Sequence, residues 1–75
     1  MDIRKVFGAN VRAYRLAAGL SQEAVAVRMG VDRACVSAIE RGRQNATLLT
    51  IWEVAQALGV RPADLIVEPA PKSKP

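Results

Sequence analysis

Apolar residues recur at helical spacing along most of the chain. Between Ile3 and Ala18, the residues Phe7, Val11, Tyr14 and Ala18 follow one another at such intervals while Arg4, Lys5, Arg12 and Arg15 occupy other faces, predicting a first amphipathic helix. Gly19 comes where helices commonly end in a left-handed residue, and Leu20 can fold back onto the preceding turn. Ser21 stands ahead of Gln22-Glu23-Ala24, so its hydroxyl can accept an orphan amide hydrogen at the start of a second helix with an inner stripe of Val25, Ala26 and Met29. Gly30 breaks that helix after about two turns. Val31 then serves as an apolar staple, and Asp32 as N-cap of a third helix from Arg33 to about Arg41. Gly42 ends it and Arg43-Gln44-Asn45-Ala46 is loop-like. Thr47 caps a fourth helix carrying Leu48, Ile51, Val54, Ala55 and Leu58, closed by Gly59. Arg61-Pro62 prepares a last short helix through Ala63, Asp64, Leu65 and Ile66, since proline suits a first helical position. The one strand-like run, Val25-Ala26-Val27, is overridden by the helical pattern. The expectation is an all-α domain over residues 1–67 and a disordered, Pro- and Lys-rich tail over 68–75.

Composition narrows the class. The 75 residues allow one domain near the lower size limit for a self-sufficient core, and with 51% hydrophobic but 4% aromatic residues that core is built from Ala, Val, Leu and Ile. The net charge of +4 lies wholly in the first part, where residues 1–45 carry eight Lys/Arg against four Asp/Glu, while residues 46–75 carry three of each. A basic part joined to a neutral one suits a polyanion-binding surface with a separate pairing region; a solvated basic face is the alternative. Cys35 is the one cysteine and there is no histidine, so neither a disulfide nor a metal site is expected, and no cofactor. Without a histidine, a Gly-rich phosphate loop or clustered carboxylates, the chain lacks the groups for enzymatic chemistry. The start Met1-Asp2-Ile3-Arg4-Lys5 has no signal-peptide stretch, and no apolar run is long enough for a membrane span, so the expected location is the cytoplasm.

Ala26 and Gly30 are small where two helices must cross closely, and Gly30 can take the positive φ of a sharp turn. On the third helix Val36, Ile39 and the aliphatic part of Glu40 fall on one side, leaving Ala34, Ser37, Ala38 and Arg41 opposite and Arg33 at the N-terminal end. If the polyanion is a nucleic acid, Arg33 is the first candidate for base readout, because its planar fork can donate two hydrogen bonds to guanine; phosphate contact is the alternative. Ala34 and Ala38 offer apolar contact to a thymine methyl, and Ser37 a bond to base or phosphate. Arg41, Arg43 and Gln44 surround the exit from the third helix as candidates for backbone contact. Cys35 reads as filler at a helix boundary, with a thiol sensor as the alternative.

Leu20-Ser21-Gln22-Glu23, then Ala26, Gly30-Val31 and Val36-Ser37-Ala38-Ile39-Glu40-Arg41-Gly42, resemble the phage repressor and Cro type of helix-turn-helix, and the likeness continues through Asn45, Thr47-Leu48 and Ala55-Gln56-Ala57-Leu58-Gly59-Val60. The resemblance implies a five-helix, lambda-repressor-like fold whose third helix enters the major groove of double-stranded DNA, and a homodimer presenting two such helices about 34 Å apart. It further implies that Gln22 faces DNA phosphate and that Arg15 pairs with Glu40. Trp52, Val60, Leu65, Ile66 and Val67 are the candidate dimer interface, with plain core as the other reading of Trp52. The segment Asp32-Arg33, Ser37 to Arg41, Asn45 and Thr47 also looks like the controller proteins of restriction-modification systems, although Ala34-Cys35 departs from their commonest pattern. RNA polymerase is a further candidate partner. An antitoxin-like module binding a toxin is the alternative from a different class.

Overall fold

The computed structural model describes residues 2–68, and these form four α-helices followed by one 3₁₀ turn. Helix α1 spans Ile3–Ala17, α2 Gln22–Met29, α3 Arg33–Glu40 and α4 Leu48–Leu58. Their starts follow from the sequence. The Ser21 hydroxyl accepts the Ala24 amide at 3.0 Å, and the Thr47 hydroxyl accepts that of Thr50 at 3.1 Å, each relieving an orphan donor of the first turn. Between α2 and α3 the chain reverses at Gly30, which holds φ 71°, a left-handed value costly to other residues, while the Val31 amide closes onto the Ala26 carbonyl at 3.0 Å.

The expected fifth helix is a 3₁₀ turn over Pro62–Leu65 instead. Asn10, buried on α1, donates from Nδ2 to the Leu65 carbonyl at 2.9 Å and to the Val67 carbonyl at 2.8 Å. Asn10 thereby seats the end of the turn on α1, and the turn itself closes through the Asp64 amide bond to Arg61 at 3.0 Å and the Ile66 amide bond to Ala63 at 3.2 Å. Other expectations need correction too. Asp32 has the extended backbone of an N-cap, but its side chain makes no capping bond. Leu48, assigned to the inner stripe, is 87% exposed. Leu65, assigned to the pairing face, is fully buried and serves as core, and Val60 lies half-buried against that core. Ala18 is also exposed, past the end of α1. Residues 69–75 of the expected tail lie outside the described residues.

The core gathers Phe7 and Val11 of α1, Val25 of α2, Val36 and Ile39 of α3, Val54 of α4 and Leu65. Burying each larger aliphatic side chain contributes about 1.5–3 kcal/mol. α2 packs on both α3 and α4, while α1 crosses α3 from behind. Where α1 meets the end of α3 the helices approach as closely as backbones allow. A Cβ on Gly8 would collide with the Ile39 carbonyl oxygen and lie 2.9 Å from that of Glu40. The apolar faces of α1 and α2 therefore hold α3 by its inner side, leaving its outer side to solvent.

Candidate nucleic-acid interface

Burial of Val36 and Ile39 fixes the rotation of α3 about its axis. It leaves Arg33, Ala34 and Arg41 exposed and Ser37 and Ala38 half-exposed on the outer side. All four candidates for base contact therefore share one face. The first turn of α3 has no acidic residue, and no side-chain bond from Asp32 caps it. Arg33 sits at the positive end of the helix dipole, an arrangement that costs stability locally and that a polyanion offsets.

Beneath this face lies a charged pair taken almost out of water. Arg15 Nε donates to Glu40 Oε2 at 2.6 Å and Nη2 to Oε1 at 3.1 Å, with 10% and 4% of the two side chains exposed. The hydrogen bond to Glu40 raises the guanidinium pKa above its ordinary value, outweighing the opposing effect of burial. A third donor, Nη1, reaches the Leu20 carbonyl at 2.9 Å, so the end of α1 and the end of α3 are tied through one side chain. The pair is present as the resemblance implied. Gln22 extends it: its Nε2 donates to Glu40 Oε1 at 3.1 Å, and its Oε1 accepts from Arg33 Nη1 at 3.4 Å. Gln22 opens α2 at the margin of the same face, half-buried, with its amide engaged by Glu40 and Arg33.

At the exit from α3, Arg41 and Arg43 are exposed, as phosphate contacts require. Gln44 is half-buried, and its side-chain amide lies 3.7 Å from the Cys35 sulfur, so it turns toward the core side of the loop. Cys35 is half-buried and packs against the core, in keeping with a filler. Away from α3, Trp52 and Ile66 are 53% and 45% exposed, and Leu48, Leu49 at 63% and Val67 at 59% are further exposed apolar side chains. Sequence reasoning missed Leu49. The adjacent pair Leu48-Leu49 held the signal, because successive residues on a helix point about 100° apart and cannot both face one core. Among the described residues no acidic, cysteine or histidine cluster could hold a metal, and no helix is long and apolar enough to cross a membrane.

Comparison with known proteins agrees with this geometry. The helix-turn-helix family model matches residues 11–65. An HTH-type transcriptional regulator of Sinorhizobium fredii is 46% identical over 66 residues, covering 88% of this chain and 86% of the relative. Control protein C.BamHI of Bacillus amyloliquefaciens is 42% identical over 66 residues, covering 87% and 82%. The crystal structure of the restriction-modification controller protein C.AhdI from Aeromonas hydrophila superposes with a TM-score of 0.79 at 42% identity, covering 83% of this chain and 94% of that one.

Proposed function

This chain belongs to the helix-turn-helix family, and from that premise we propose that it is a cytoplasmic, DNA-binding transcriptional regulator acting as a homodimer on a two-fold symmetric operator. The observation that carries the reading is the outer face of α3: small side chains flanked by Arg33 and Arg41, turned outward by the burial of Val36 and Ile39 and tied to α1 by a buried ion pair. Such a face fits a major groove. Arg33, Ala34, Ser37 and Ala38 read base edges, Arg41 and Arg43 hold phosphates, and Gln22 presents the start of α2 to the backbone. Gln44, turned toward Cys35, contributes to the loop that carries Arg43.

One recognition helix covers a few base pairs, so a second copy is needed, placed about 34 Å away. The exposed apolar side chains Leu48, Leu49, Trp52, Ile66 and Val67 form the pairing face. A two-fold interface joins the same patch on both copies, and this patch is apolar enough to meet itself. The likeness to control proteins supports a place as the autoregulating controller of a restriction-modification operon. Nothing in that role calls for enzymatic chemistry or a cofactor. Selection of duplexes from a random pool, followed by binding of wild type and Arg33→Ala, tests the reading. A symmetric consensus and about 10- to 100-fold loss of discrimination at one position in Arg33→Ala are expected. Absence of any enriched sequence, or capture of a protein partner with indifference to salt, would overturn it.

A further inference from the structure

We infer that Arg28 is a positioning residue that fixes the angle between the DNA-reading unit α2–α3 and the pairing helix α4, and so sets the operator spacing the dimer accepts. Its Nη1 donates to the Ala57 carbonyl at 2.9 Å, across 29 residues of sequence. At that end of α4 the Ala55 and Gln56 carbonyls are satisfied by the amides of Val60 and Gly59. The Ala57 carbonyl is instead served by Arg28, and α4 has no basic residue of its own in its last turn. The cation that the carbonyl end of a helix favours is therefore supplied from another element.

Among the described residues this is the only side-chain hydrogen bond joining α2–α3 to α4. Beside it, next to the packing of α2 on α4, lies an open groove of about 590 Å³ lined by Arg28, Met29, Leu49, Trp52 and Gln56 among others. Apolar contact resists separation of the helices but is non-directional and tolerates sliding. A directional bond across the open side restrains that freedom. Leu49 and Trp52 of the groove also belong to the pairing face, so a change of angle here moves one recognition helix relative to its mate.

The inference rests on the dimeric DNA-binding reading, and the test separates the two. Wild type, Arg28→Ala and Arg28→Lys are titrated against duplexes carrying one selected half-site, or two half-sites at the optimal separation and at separations shortened or lengthened by one and two base pairs. Wild type is expected to show a sharp optimum. Arg28→Ala is expected to bind the single half-site as wild type does, yet to lose about tenfold on the optimal pair and to flatten the spacing profile; Arg28→Lys, which keeps one donor, restores most of the optimum. Equal losses on one and two half-sites, or a profile as sharp as wild type, overturn the role of Arg28 while leaving the dimer intact. A wild-type profile without an optimum overturns the dimeric reading and this inference with it.

Discussion

Arg15 carries a charge that folding removes almost wholly from water, with three of its donors committed. Truncating it strands the Glu40 carboxylate in a site 4% exposed, a change that costs about 3–5 kcal/mol when a buried pair is broken. In a domain of this size that is a large share of the total stability, so Arg15→Ala should lower the melting temperature by more than roughly 10 °C. Circular dichroism melts check this; an unchanged melting temperature removes the pair from the list of structural supports. Arg33 makes the opposite case. It is exposed and its contact to Gln22 is long, so Arg33→Ala should leave the melting temperature within about 2–4 °C while reducing operator discrimination. Arg43→Ala should weaken all sequences alike and reduce the salt slope of binding by about one. The contrast in one binding series separates reading from anchoring.

Two helix starts that look alike in sequence differ in structure, and the difference is measurable. Ser21→Ala removes a capping bond and should cost about 1 kcal/mol, whereas Asp32→Ala removes none and should cost less than about 0.5 kcal/mol. Urea unfolding of both variants checks the order; equal losses contradict it. At the other end of the chain, the Asp64 carboxylate accepts from the Arg61 amide at 3.1 Å and its guanidinium at 3.0 Å, and those hydrogen bonds hold its pKa below the ordinary carboxylate value. A depressed folded-state value means this contact supports the turn above the ordinary range and is lost as acid carries the pH below it. Most of the element order was legible, because Ser21, Thr47 and the helix-ending glycines act on neighbours within one turn. The 3₁₀ turn was not, because Pro62 and the apolar pattern suit a short α-helix equally well, and the bond that seats its end on α1 comes from Asn10, 55 residues away. Nor could apolar pattern alone tell Leu48 from Leu65. Each suits a helical stripe, and which one faces inward depends on how the final turn packs against α1 and α4.

At the scale of the whole molecule, the proposed function is divided between a basic side around α3 and the exposed apolar side chains on α4 and after the final turn. The first was announced by the charge imbalance of residues 1–45; of the second, Trp52, Ile66 and Val67 were named by the sequence, while Leu49 emerged and Leu65 dropped out once the side chains were placed. If the second surface pairs two copies, folding and association are linked, and the melting temperature of wild type should rise with protein concentration. Trp52 is half-exposed, so Trp52→Glu leaves the interior of each protomer as it is while setting two like charges against each other across a two-fold interface. Sedimentation of the variant should show a monomer at concentrations where wild type is a dimer, and its melting temperature should no longer depend on concentration. On DNA it should keep its affinity for a single half-site, because α3 and its supporting pair lie on other elements. On two half-sites it should lose the gain that joined modules enjoy, a factor of about 100 or more. A variant that remains dimeric, or one that loses half-site binding in equal measure, would show that pairing and reading are not divided between these two surfaces.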